Sequence, residues 1–146
     1  MSMLRSLTAA LAAALCFVLA AVTAAPAAAT WSIVVTDRST GEVAVGSATC
    51  VSGLDLRALT PVVLVGLGGG AAQSVADGSG VNRRRIWDGL LAGLTPEEIL
   101  DVLADADGLH QSRQYGIADV PPNPEVTFTG SNAGGWAGGV VGEWGT

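Results

Sequence analysis

The residue with the most chemistry to offer is Thr30, and what it can do depends on where the chain is cut. In "AAPAAATWSIVVTD", residues 24–37, Ala27 and Ala29 occupy the −3 and −1 positions that signal peptidase prefers for a cut before Thr30. Such a cut leaves a free α-amine beside the Thr30 hydroxyl. Ala25 and Ala27 allow a cut before Ala28 equally well, and Thr30 is then an ordinary strand residue. Ser47 and Thr49 lie on a second β-type segment whose alternating face should look toward the strand carrying Thr30. They suit substrate orientation, oxyanion support or plain strand polarity.

Other reactive side chains are read more plainly. Cys50 has no activating base, because the sole histidine, His110, sits beyond a helix with no Asn or Asp pattern to orient it. Cys50 therefore reads as a buried free thiol, and His110 as a helix-end cap. "GLGGG", residues 66–70, lacks the Lys-Ser/Thr of a phosphate loop and reads as a tight strand-to-helix connection. Arg83, Arg84 and Arg85 form the one basic run and read as a solvated helix start. Asp101, Asp105 and Asp107 lack the glycine-centred loop and distal Glu of a calcium site, and like charges at this spacing favour solvent. Arg113 heads a strand and either pairs with Asp119 or offers its guanidinium to a substrate carboxylate. Thr129, Ser131 and Asn132 carry donors at a strand end, suited to substrate or oxyanion contact or to a turn. No metal-ligand spacing and no cofactor motif is present, so no metal and no cofactor is expected.

Those residues must be positioned by a small domain behind a leader. Residues 1–29 have the parts of a secretory signal: Arg5, an apolar run over 7–22 and a small-residue tail. The run is short of the ~20 residues that cross a bilayer, so no membrane span is expected after processing. Secretion, extracellular or periplasmic, follows. Processing before Thr30 removes 29 of 146 residues and leaves one domain, 30–146, with a single cysteine and no disulfide. The whole chain has no lysine and a net charge of −6, which disfavours nucleic acid and anionic membrane surfaces. A small-molecule or peptide substrate fits better, and a homo-oligomer is compatible with the composition.

The hydrophobic periodicity predicts a hairpin around Gly41, a third apolar strand buried on both faces before residues 66–70, and a helix starting near Ala72. A helix follows over residues 83–93, with Ile86, Leu90 and Leu94 on one face. Another runs from Thr95 as N-cap through Pro96, Glu97 and Glu98, with Gly108 as terminator. A second hairpin turns at "PPNP". This order argues for an α+β layered domain with antiparallel sheets.

Taken in order, "TWSIV", "TGEVAVGSATCV", the apolar strand leading to Gln73, "GLTPEEIL", "RQYGIAD", "FTGSN" and "WAGG" resemble the domain of unknown function 1028 family, placed by fold in the Ntn-hydrolase superfamily. The resemblance implies an αββα sandwich, incomplete here because such relatives carry further C-terminal strands. Residues 30–146 alone are accordingly expected to be marginally stable. It also implies that Thr30 is a nucleophile whose own α-amine serves as base. A hydroxyl is a weak nucleophile and needs a base within reach, and an α-amine of pKa about 8 suits that better than a lysine amine. The resulting expectation is a secreted Ntn-hydrolase-like protein, an amidohydrolase on a peptide-like amide. The alternatives are a non-catalytic binding or assembly module and an inactive fragment.

Overall fold

The structure, a computed structural model, describes residues 30–121, 123–135 and 137–143. The leader and its two alternative cuts lie outside the described residues. Strand β1 (Thr30–Thr36) pairs antiparallel with β2 (Val43–Thr49), Thr30 opposite Thr49 and Thr36 opposite Val43. The connection is built by Asp37, whose carboxylate accepts the backbone N–H of Ser39 at 2.7 Å, and by Gly41, whose φ of +75° suits a residue without a Cβ. After a single helical turn, α1 (Leu56–Leu59), the chain enters a second, four-stranded sheet in the order β3-β4-β5-β6, antiparallel throughout. Its strands are β3 (Pro61–Leu64), β4 (Gly68–Ser74), β5 (Arg113–Asp119) and β6 (Val126–Thr129).

Between β4 and β5 lie α2 (Val81–Ala92) and α3 (Pro96–Ala106). Helix α2 ends at Gly93, whose left-handed φ of +76° lets its N–H close back on the Gly89 and Leu90 carbonyls. Helix α3 starts with a complete capping box between Thr95 and Glu98, and Pro96 in its first turn, as its sequence predicts. That cap stabilises the helix by about 1 kcal/mol. Ile86, Ile99 and Leu103 are fully buried, packed with Leu90, Tyr115 and Ile117 between the helices and the four-stranded sheet. Leu94 packs against this core, half-buried.

The glycine run corrects the sequence reading. It does not connect a strand to a helix: residues 68–70 are buried strand, and no helix starts at Ala72, which is the middle of β4. Glycine has little intrinsic strand preference, so local propensity points elsewhere. Tertiary fit overrides it, because a Cβ on Gly68 would lie 2.6 Å from the Ala118 carbonyl oxygen and one on Gly69 would lie 2.7 Å from Val43 Cγ1. The third strand is likewise not buried on both faces. β3 is an edge strand of alternating burial, with Val63 exposed.

Three layers result. The helices cover one face of the larger sheet, and the β1-β2 sheet stacks on the other, β1 against β4 and β5, β2 against β3 and β4. The outward face of the small sheet carries Trp31, Ile33 and Val35 at 60%, 53% and 48% exposure, with no described residue covering them. Among the described residues no helix is long and apolar enough to cross a membrane.

Candidate functional site

The inward face of the small sheet divides into two halves by residue type. Toward one end Val34, Val43 and Val45 close on the bare backbone of Gly69 and Gly116. Toward the other, strand alternation turns Thr30 and Ser32 of β1 and Ser47 and Thr49 of β2 inward together. Thr30 Oγ1 and Thr49 Oγ1 share a 2.9 Å hydrogen bond, and Ser32 Oγ and Ser47 Oγ lie 2.8 Å apart one pair further along.

The facing sheet completes the row. Gln73, at the end of β4, accepts from Ser32 Oγ at 2.6 Å and donates through Nε2 to the Thr30 backbone carbonyl at 2.9 Å and to Gln114 Oε1 at 3.2 Å. Gln114 Nε2 donates to Thr129 Oγ1 at 3.2 Å. On the other side Ser47 Oγ lies 2.8 Å from Thr60 Oγ1, which donates to the Leu56 carbonyl at 3.0 Å. Ser32 and Thr60 thus give their protons away from Ser47, to Gln73 and Leu56. Ser47 has one hydroxyl proton for two oxygen neighbours. The half-buried seam is therefore rich in acceptors.

Sequence reasoning identified Thr30, Ser47, Thr49 and Thr129, and the structure joins all four in this one seam. It missed Ser32, Thr60, Gln73 and Gln114 as partners. Ser32 shares the inward phase of Thr30 and could have been found by alternation. Gln73 was hidden by reading β4 as the approach to a helix.

Arg113 lies elsewhere. Its guanidinium does not pair with Asp119, which stands six residues on at the far end of β5. Instead Nε donates to Asp107 Oδ2 at 2.9 Å and Nη1 to the Val75 carbonyl, and the side chain is 8% exposed. Asp107 is accordingly not a solvated member of an acidic face. It closes α3 and also accepts from Asn82 Nδ2 at 2.6 Å and the Leu109 backbone N–H at 3.0 Å. The Arg113 guanidinium holds the Asp107 carboxyl far below the usual range, against the burial that would raise it. Tyr115, pushed well above its ordinary value by burial and by the Asp107 charge, donates within the same cluster.

His110 is not a helix cap. It opens a 3-10 turn (His110–Ser112), and its ring packs against Phe128 at a centroid distance of 4.0 Å with the planes tilted by 31°, Nδ1 being buried and unpartnered. Burial pushes its pKa down, partly offset by Asp107. Cys50 is exposed rather than buried, just past the end of β2. Asn132 is exposed in the loop after β6, its N–H donating to the Gln111 carbonyl at 2.7 Å, and the Ser131 N–H donates to Gln111 Oε1 at 3.0 Å. No three His, Cys, Asp or Glu side chains among the described residues cluster as metal ligands.

Fold and seam together define a small α+β domain of two stacked antiparallel sheets with a hydroxyl-amide row between them. The profile of the family of unknown function DUF1028 matches residues 30–145, and the chain belongs to that family. It is similar to the crystal structure of protein SPO2555 from Silicibacter pomeroyi, of the same family, with a TM-score of 0.56 and 25% identity over 70% of this chain and 45% of that one. The chain thus spans less than half the length of that relative. No curated protein gives a significant match.

Proposed function

We propose that this is a secreted Ntn-hydrolase-like domain, part of an αββα sandwich, that hydrolyses a peptide-like amide through Thr30. The observation that carries the reading is the place of Thr30. It opens β1, its hydroxyl faces the intersheet seam, and its carbonyl is fixed by Gln73. The family match also begins at Thr30. After cleavage before Thr30, Oγ1 attacks the amide carbon and its proton passes to the α-amine, directly or through water. The ammonium then protonates the leaving nitrogen as the C–N bond breaks. Water, deprotonated by the same amine, releases the acyl group from the Thr30 ester. Thr49 orients Oγ1. Ser47, with an acceptor to spare, receives a substrate N–H. Thr129 steadies Gln73 through Gln114, and Asn132, exposed in the loop after β6, offers its side-chain amide to the substrate.

The test uses the absence of lysine. An N-terminal threonine, with amine and hydroxyl on adjacent carbons, is cleaved by periodate, and an amine-reactive reagent has one target in the chain. Exported protein whose mass begins at Thr30, which hydrolyses an amide substrate and loses that activity on α-amine acylation, is the expected result. A mature chain starting at Ala28 refutes the nucleophile. A second reading, a non-catalytic binding or assembly module, draws on the exposed Trp31, Ile33 and Val35 face.

A further inference from the structure

Six arginines fall among the described residues, and they divide sharply. Arg38, Arg57 and Arg113 are each paired to a carboxylate. Arg83, Arg84 and Arg85 have no carboxylate at ion-pairing distance among the described residues. All three line the same open cleft, of about 720 Å³, between the N-terminal turn of α2 and the edge strand β3.

The rest of the wall is mostly apolar, with Val62, Val81 and Trp87 beside one hydroxyl, Ser79, and Val81 and Trp87 are left 45% and 39% exposed. Arg83 is folded back beside Gly80, with Nη2 2.9 Å from where a Gly80 Cβ would stand. Its Nε is buried and has no partner. Arg85 Nη1 is oriented by Asn82 Oδ1 at 2.8 Å. Gly80 supplies no side-chain cap to the helix.

A desolvated guanidinium nitrogen without an acceptor is costly, and three unpaired guanidinium groups close together repel. In a chain of net charge −6 such a cluster is a local positive field that attracts an anion. Arginine presents a planar fork that matches carboxylate or phosphate, and the volume and apolar wall suit a small organic molecule.

We propose that this cleft binds a small organic anion, with its carboxylate or phosphate on Arg83, Arg84 and Arg85 and an aromatic or aliphatic body against Val81 and Trp87. The site is separate from the Thr30 seam: it opens on the helix side of β3, and it stands whether or not the chain is a hydrolase.

The full chain, 15N-labelled at low ionic strength, is titrated with phenyl phosphate, benzoate, phenol and inorganic phosphate while the arginine Nε–H and Trp87 indole resonances are followed. Phenyl phosphate or benzoate is expected to shift them saturably, at least tenfold more tightly than inorganic phosphate, with no response to phenol. The arm that binds more tightly distinguishes phosphate from carboxylate. Arg84→Gln with Arg85→Gln should weaken binding at least tenfold. Val81→Asp, an exposed change that supplies a competing carboxylate, should do the same with the fold intact by circular dichroism. The proposal is overturned if neither organic anion shifts these resonances, if phenol shifts them equally, if inorganic phosphate binds as tightly, or if folded Val81→Asp protein binds as the parent does.

Discussion

The side-chain amide of Gln73 in the larger sheet donates to the backbone carbonyl of Thr30 in the smaller one at 2.9 Å, while its oxygen accepts from Ser32 at 2.6 Å. One side chain thus ties the first strand to the sheet behind it at two points. Gln73→Ala removes both ties and strands a half-buried acceptor and a hydroxyl. A loss of about 1–3 kcal/mol in urea unfolding is expected. If Thr30 is the nucleophile, amide hydrolysis should fall further than stability alone explains, through kcat rather than KM.

Asp107 and Arg113 form a buried pair whose partners span α2, α3 and β5. Asp107→Asn leaves the guanidinium without its counter-charge, and a loss of about 3–5 kcal/mol is expected by denaturant titration. Arg113→Met, which removes the other member, should produce a loss of similar direction, since the carboxylate is then unpaired.

Acid should destabilise the fold in two stages. His110 has a depressed folded pKa because burial opposes its charge. Its contribution is intact above the unfolded value of about 6.5 and is lost as pH falls toward the folded one. Asp107 is also depressed, held down by Arg113, so its contribution is lost below about 3.9. Asp119 acts oppositely. Burial raises its pKa, against the Asn123 hydrogen bond and Arg38, so its neutral form favours the fold at low pH and that contribution is lost as pH rises through the folded value. The urea midpoint should decline from pH 7 to 5 in the parent, and that decline should be absent in His110→Phe.

Gly89 lies where α2 meets α3, and a Cβ there would stand 2.6 Å from Ile99 Cγ1. Alanine is the better helix former by about 1 kcal/mol, yet Ile99 is fully buried and cannot move aside. Gly89→Ala should therefore destabilise, by about 1–3 kcal/mol net of that gain. Adding Ile99→Val should recover part of the loss in a double-mutant cycle, read by thermal melting.

The outward face of the small sheet predicts behaviour rather than stability. Neither β1 nor β2 contains a charged residue, so neither the open face nor the strand edges carry the charges that usually deter association. Trp31→Thr with Ile33→Thr should lower hydrophobic-dye binding and concentration-dependent association in light scattering. The melting temperature should change little, because both side chains are already mostly in water.

Elements whose signals are local could be read from the sequence. The Thr95 capping box, the Ile86 and Leu90 stripe and the Gly41 hairpin are each written within a few residues and appear as expected. β4 could not be read that way, since nothing in its glycines and alanines marks a strand until the crowding on both sides is known. The seam was half legible. Alternation points Ser47 and Thr49 toward Thr30, whereas the pairing of Gln73 with Thr30 spans 43 positions and depends on how two sheets stack. Asp107 was misread for the same reason: as one of several acids on a helix it suggests solvent, and only the return of β5 brings Arg113 against it.

Over residues 68–70 the larger sheet is a partition one peptide thick. Val43 and Val45 lean on it from the small sheet, and Ile86 and Leu90 from helix α2, each within contact distance of where a single methyl would go. There are no side chains here to compress or repack, so a displacement of one layer is handed to the other instead of being absorbed. Helix α2 carries the arginine cleft and β2 carries Ser47. The two are mechanically next to each other through the glycine wall, although no atom of one need touch the other.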